Sequence, residues 1–263
     1  MKYDLLCLTR CHHRAEGLTR VADLILKELP DAGVRTCLVL APDPLATPEV
    51  KQVAGRLGQD PNVVLHCPAL PVLSSRHGQR WIQTLNEMCD AFDQRGHEAP
   101  WLFDFDDDAV FSPGWEEKLP ALLADESMDV YEAISLFLWD DAEEQVNVLQ
   151  HHWSPRLGRY RAGARRSLDR ELHVVDFVQA SIEKGGRMKK MPWYLLDFGS
   201  ATEADRQACF RACARAGKLD PYTKAYIRPP LLRPLADILR EFPHPGDFQM
   251  WQERVLNGSV TVA

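Results

Sequence analysis

The run Trp101-Leu102-Phe103-Asp104-Phe105-Asp106-Asp107-Asp108-Ala109-Val110-Phe111 constrains this chain more than any other stretch. A short apolar segment, broken by one Asp, ends in three consecutive carboxylates. Apolar runs of this length read as buried strands. Acids at the carboxyl end of a strand lie where open α/β sheets bind ligands. Adjacent carboxylates repel one another, so packing gives no reason to gather them. A divalent cation removes the penalty: hard oxygen donors suit Mg²⁺ or Mn²⁺, and a metal so held can hold a substrate diphosphate. The alternative is a solvated acidic turn before a helix, with Ser112 as N-cap and Pro113 at the first helical position. Glu116 and Glu117 already favour the dipole of such a helix, which leaves Asp106, Asp107 and Asp108 to another use.

The rest of the first half alternates strand and helix patterns. Residues 3–8 read as a strand. Leu18, Val21, Ala22, Ile25 and Leu29 recur at helical spacing, and Pro30 is expected to end that helix. Further strands are expected over 35–41, 63–67 and 130–138, and helices over 48–57, about 78–95 and about 113–124. Such alternation implies an α/β fold with a mostly parallel sheet flanked by helices. The pattern is clear over 1–140 and weakens over 141–263. There, polar loops and an arginine-rich segment precede the run Trp193-Tyr194-Leu195-Leu196. Thr202-x-x-Asp205 resembles a capping box opening a helix to about 216. With two further short helical stretches, this part reads as a helical C-terminal region, continuous with the first in one globular unit.

Composition narrows the class. The chain has 263 residues, 45% hydrophobic and 26% charged, enough for a core without staples. No apolar run approaches the roughly 18 residues of a membrane span. Met1-Lys2-Tyr3-Asp4 lacks a signal-peptide pattern. The seven cysteines form no C-x-x-C pair, so structural zinc and a disulfide framework are not expected, and a reducing, cytoplasmic setting is. The net charge of −7 argues against a generally basic nucleic-acid binder. One segment reverses that sign: Arg156, Arg159, Arg161, Arg165, Arg166 and Arg170 share it with a single acid, Asp169.

Three points along the chain line up. The first strand leads into Thr9-Arg10-Cys11-His12-His13-Arg14, the second ends near Asp43, and a later one ends in Asp106-Asp107-Asp108. This order resembles the family 2 glycosyltransferases and the wider GT-A fold. The resemblance implies a nucleotide-sugar donor, with a UDP-sugar favoured, and a divalent metal, Mn²⁺ or Mg²⁺. It makes Asp106 and Asp108 the Asp-x-Asp metal ligands, with Asp107 beside them on the donor side. His13-Arg14 matches the family's Asn-Arg pair, Asp43 its acid at the base or ribose, and Arg80 and Asn86 its donor-side helix. Asp197, in Asp197-Phe198-Gly199, stands where relatives often carry a His that ligates the metal.

The chemistry is coherent with that likeness. Breaking the bond between sugar and nucleoside diphosphate develops negative charge, which a metal and arginines stabilise. An inverting hexosyl- or pentosyltransferase also needs a base for the acceptor hydroxyl. Asp140 and Asp141 are the candidates, against a plain polar strand end. His151 and His152 either meet the metal or diphosphate, or pack locally. The cations Arg156, Arg159, Arg161, Arg165 and Arg166 suit a phosphate-rich partner, with Tyr160 and Trp153 placed to stack on a base. A hydroxymethylated base in DNA is thus one acceptor, and a saccharide, lipid-linked or protein hydroxyl another. Three rival readings stand beside this one. A haloacid-dehalogenase-type phosphatase would use Asp104 as nucleophile and Asp106 as acid. A nucleotidyltransferase would use the same metal and diphosphate geometry. A non-enzymatic nucleic-acid-binding protein would rely on the arginines alone.

Overall fold

The computed structural model describes residues 1–12, 14–71, 77–139, 144–163, 165, 186–198, 202–204, 206–207, 211 and 231–256. The chain forms two compact units. The first comprises Met1–Asp108, Glu116–Glu132 and Ser154–Lys189, and the second Ala109–Trp115, Ala133–Trp153 and Lys190–Ala263. Among the described residues, no helix is long and apolar enough to cross a membrane.

In the first unit, β1 (Leu5–Cys11), β2 (Thr36–Pro42), β3 (Val63–Leu65) and β4 (Trp101–Asp106) pair in the order β3-β2-β1-β4, all parallel. Leu5 stands opposite both Thr36 and Trp101, so β1 is central. Centrality explains its composition: covered on both faces, it is an almost unbroken apolar run. The pleat sends alternate residues to opposite sides. Leu6, Leu8, Cys37, Val39 and Leu102 pack with Leu85, Met88, Cys89 and Phe92 of α4 (His77–Gln94). Leu5, Cys7, Leu38 and Leu40, fully buried, belong to the other side of the pleat. Helices α1 (Ala15–Asp23) and α3 (Pro48–Leu57) pack together, and α3 also meets β2 and β3. The C-terminal end of β7 (Gln145–Arg159) joins β4 antiparallel, with Trp101 opposite Arg159 and Phe103 opposite Leu157.

Pro30 does not end the first helix where expected. A wide turn over Leu24–Glu28 follows α1, and the Leu29 N–H bonds to the Leu24 carbonyl five residues back. That turn restarts the helix as α2 (Leu29–Asp31), where Pro30 occupies the first turn and its missing N–H is harmless. Gly33, at φ 83°, closes it.

In the second unit, β5 (Ala109–Phe111) pairs antiparallel with β8 (Met188–Asp197). The strands run in the order β7-β6-β8-β5, where β6 is Val130–Leu138, and β9 (Leu232–Pro234) lies antiparallel on β7. Helices α6 (Leu235–Glu241) and α7 (Pro245–Leu256) supply the expected helical C-terminal part. Ile238 and Phe248 pack there against Leu136, Val146, Val148 and Tyr194.

Two further expectations change. Ser112 caps no helix: it is buried, its N–H donates to the Tyr194 carbonyl (2.9 Å) and its Oγ accepts the Tyr194 N–H (3.0 Å). The apolar residues Ala109-Val110-Phe111 thus form a short strand, Gly114 turns the chain at φ 87°, and α5 begins only at Leu119 (Leu119–Ala124). The polar segment after 144 is a long strand, β7. Pro155 and Gly158 disguise it, since both are poor strand residues.

After β7 the chain is clamped to α4. Tyr160 Oη donates to Asp93 (2.7 Å), the Gly163 N–H donates to the same carboxylate (3.0 Å), and Arg165 bridges Asp93 (2.8 Å) and Asp90 (2.8 Å). Burial pushes the Asp93 carboxyl up, but these donors outweigh it and hold the group below its ordinary value. Its contribution is therefore present above about pH 3.9 and lost as pH falls through the lowered folded-state value. Asp93→Asn is expected to lower unfolding free energy at pH 7 by about 1–3 kcal/mol and to flatten the acid limb of the stability profile, both read by urea titration.

Candidate functional site

Parallel pairing of β1 with β4 places Arg10 opposite Asp106. The Arg10 guanidinium lies 3.9 Å from Asp104 and 3.8 Å from Asp106. Arg156, delivered by β7 and only 7% exposed, donates to the Asp104 carbonyl (3.3 Å) and to the Asp106 carboxylate. The two acids that follow turn toward the β1–α1 connection. Asp107 accepts the His12 N–H (3.2 Å), and Asp108 lies 3.9 Å from Arg14, whose carbonyl accepts the first bond of α1 from Leu18 (2.9 Å). Four carboxylates thus meet three guanidinium groups, leaving an excess of one negative charge.

Burial of this crowded turn raises its proton affinity. Burial raises Asp107 to about 6, with the Asp106 charge adding to it and the His12 N–H opposing. Burial and the charges of Asp107 and Asp106 raise Asp108 to about 8, against the pull of Arg14 and Arg156. Oxygen donors in this state suit a hard divalent cation, which would relieve both burial and repulsion. Among the described residues no three His, Cys, Asp or Glu side chains form a ready-made cage. The donor set fits a cation such as Mg²⁺ or Mn²⁺ held by one or two carboxylates and completed by substrate phosphate, with Asp106 and Asp108 as the side chains to hold it.

Asp43 sits at the carboxyl end of β2, buried. Its N–H donates to the Cys11 carbonyl (2.9 Å), and its carboxylate accepts the Leu45 N–H (2.8 Å). A cavity of about 290 Å³ opens beside it, lined by Pro44, Lys51, Ala54, Gly55, Leu65 and Cys67 among others. Arg80 and Asn86 lie on α4, where Arg80 donates to Gln83 (3.1 Å), Gln83 to Glu87 (2.9 Å), and Glu87 meets His66 (3.0 Å).

The arginine segment divides. Arg156 joins the acids. Arg159 lies 4.0 Å over the Trp101 ring and donates to the carbonyls of Met128 and Asp125. Arg165 belongs to the α4 clamp, and Arg161 is exposed. Tyr160, expected to stack on a base, is buried against Phe92 with its hydroxyl on Asp93. Asp197 ends β8 in the second unit, opposite Ala109. His151 and His152 lie in β7, with only their backbone described, and His13, Asp140, Asp141 and Arg166 lie outside the described residues. Asp104 is 2% exposed, which denies it the access that a phosphoryl-accepting nucleophile needs. Sequence reasoning left out Arg10 and the His12 N–H. A charge inside an otherwise buried strand was the available signal for Arg10, whereas a backbone donor leaves none.

Because Asp107 and Asp108 titrate above the ~3.9 of a free Asp, these two groups bind more protons in the folded than in the unfolded protein between about pH 4 and about 8. Their contribution to metal-free stability is expected to fall as pH rises across that window. Asp108→Asn is expected to reduce the fall, which chemical denaturation at pH 5 and pH 8 measures. An unchanged profile would count against the charge excess.

No family model matches this chain, and no curated protein matches it. Solved structures do. The crystal structure of S. aureus TarS 1-349 overlays with a TM-score of 0.45 at 10% identity, covering 80% of this chain and 64% of that one. The crystal structure of S. aureus TarS overlays with a TM-score of 0.42 at 13% identity, covering 81% and 39%. This chain therefore spans less than two thirds of either. At these TM-scores the likeness carries no argument about what this chain does.

Proposed function

We propose that this chain is a metal-dependent glycosyltransferase that moves a sugar from a nucleotide-sugar donor, a UDP-sugar in the favoured case, to an acceptor hydroxyl. The observation that carries the reading is the meeting of Asp106, Asp107 and Asp108 with Arg10, Arg14 and Arg156 at the carboxyl ends of β1 and β4. Ligands of open α/β sheets bind at that end. A nucleoside diphosphate brings negative charge to it, and the site offers both partners such a group needs. Carboxylates hold a cation against the phosphates, and guanidinium groups bind phosphate oxygens directly. Asp43 and the cavity beside it supply a place for the nucleoside, an acid for a hydroxyl or ring N–H and apolar walls for a base. Asp140 and Asp141 remain the candidates for the base that deprotonates the acceptor, and Asp197 for a further metal ligand.

DNA with a hydroxymethylated base stays among the acceptors to be tested. Its support is reduced, because Arg156, Arg159 and Arg165 are engaged within the protein and Arg161 is the exposed arginine among those described in that segment. DNA binding that weakens steeply with added salt supports that acceptor, and none at low salt sinks it.

Thermal unfolding with UDP and UDP-sugars, each with and without Mn²⁺, tests the donor site. A ligand at about 100 times its Kd contributes roughly 2.7 kcal/mol of stabilisation. Metal-dependent stabilisation that Asp108→Asn abolishes and Asp43→Asn weakens is the expected result. Absence of stabilisation by every nucleotide would overturn the reading, and pyrophosphate release from a nucleoside triphosphate would replace it with a nucleotidyltransferase.

A further inference from the structure

Arg156 differs from its neighbours in the arginine segment. Arg159 covers Trp101 and Arg165 clamps α4, while the buried Arg156 turns onto the acids of β4. One nitrogen of its guanidinium donates to the Asp104 carbonyl and the other to the Asp106 carboxylate. A planar fork held at both tips is fixed in place, unlike an ammonium on a flexible stem. Both members of the pair are largely withdrawn from water, with side-chain exposures of 8% and 23%. Removing either one leaves the other under-compensated.

That mutual dependence has a consequence for loading the site. Asp106 is one of the two carboxylates suited to hold a divalent cation, and its oxygen on the Arg156 side is already occupied by a cationic group. A metal that takes Asp106 competes with Arg156 for that carboxylate, so the guanidinium keeps its bond to the Asp104 carbonyl but gives up its ion pair with Asp106. A buried guanidinium that gives up an ion pair is less well compensated, and a diphosphate oxygen offers the replacement.

We propose that Arg156 is an internal counter-ion for Asp106, exchanged when the site loads: the cation takes the carboxylate and the guanidinium takes the diphosphate. Arg156 is thus a positioning residue that couples the two ligands. Metal alone binds weakly because it must displace Arg156, and diphosphate makes that displacement favourable. By linkage each ligand tightens the other by the same factor. The inference rests on the nucleotide-sugar reading for the identity of the diphosphate; the competition between Arg156 and the metal stands on the ion pair itself.

The test measures Mn²⁺ affinity of the full chain by electron paramagnetic resonance of the free ion, with and without UDP, for wild type, Arg156→Lys and Arg156→Gln. Without UDP, Arg156→Gln is expected to bind Mn²⁺ about tenfold more tightly than wild type, because one nearby positive charge is gone. Arg156→Lys, which keeps the charge but not the fork, is expected to fall between them. UDP is expected to tighten Mn²⁺ binding in wild type by a larger factor than in Arg156→Gln. Mn²⁺ affinities without UDP that are equal to or weaker than wild type in the variants overturn the proposal, as does a UDP effect of the same size in all three. If Arg156→Gln does not fold, Arg156→Lys decides on the same criteria. A wild type that binds Mn²⁺ and UDP together while the variants change nothing overturns the role of Arg156 and leaves the glycosyltransferase reading intact. A wild type that binds neither overturns both.

Discussion

The parallel pairing of β1 with β4 is the constraint on which the site depends. It is a backbone interaction, indifferent to side-chain chemistry, yet it fixes Arg10 opposite Asp106. Parallel strands need covered crossovers, which is why helices separate β1, β2, β3 and β4 along the chain. The same crossovers bury β1 on both faces and force its residues to be apolar until the carboxyl end, where Arg10 is admitted because acids await it. Position in the sheet and charge at its edge therefore have one cause.

The acids at the end of β4 are less a bare metal cage than a charge cluster already three-quarters answered by the protein. Repulsion among Asp106, Asp107 and Asp108 is real, but Arg10, Arg14 and Arg156 take up most of it. What remains falls on Asp107 and Asp108, the two carboxyls pushed up by burial and by acidic neighbours, Asp106 for the first and Asp107 with Asp106 for the second. A cation is then needed to complete a balance rather than to create one. This lowers the number of protein ligands it requires and leaves room for phosphate oxygens around it.

Legibility followed the range of the interactions. Helix α3 has the same bounds in sequence and structure, because Thr47 and Pro48 start it and Gly58 follows it, all within one local stretch. Strands β1, β2 and β4 were legible from hydrophobic runs, since burial on two faces leaves little choice of residue. β7 was not, because its pairing with β4 and β9 comes from distant segments while Pro155 and Gly158 speak locally against a strand. β5, three residues long, has too few positions to show a period. The site followed the same rule. The three Asp residues announced themselves as a run, but Arg10 and Arg156 acquire meaning only from partners 96 and 50 positions away by register and ion pair. The arginine segment looked like one surface in sequence, and tertiary contacts sent its members to three different destinations.

The packing of β1 also decides how this protein meets oxidants. Cys7 and Cys11 on β1, Cys37 on β2 and Cys89 on α4 are buried in the first unit, while Cys67 is exposed. Burial raises the Cys37 thiol to about 12 and pushes Cys7 and Cys11 above their ordinary value as well, which keeps them in the unreactive thiol form. Among these five described cysteines, an alkylating reagent therefore meets Cys67 at once and the buried four only when the sheet opens. Burial, with the charges of Asp107 and Asp43 adding to it, raises the Cys11 thiol, so the rate at which Cys11 is labelled would time the breathing of the very edge that holds the candidate site.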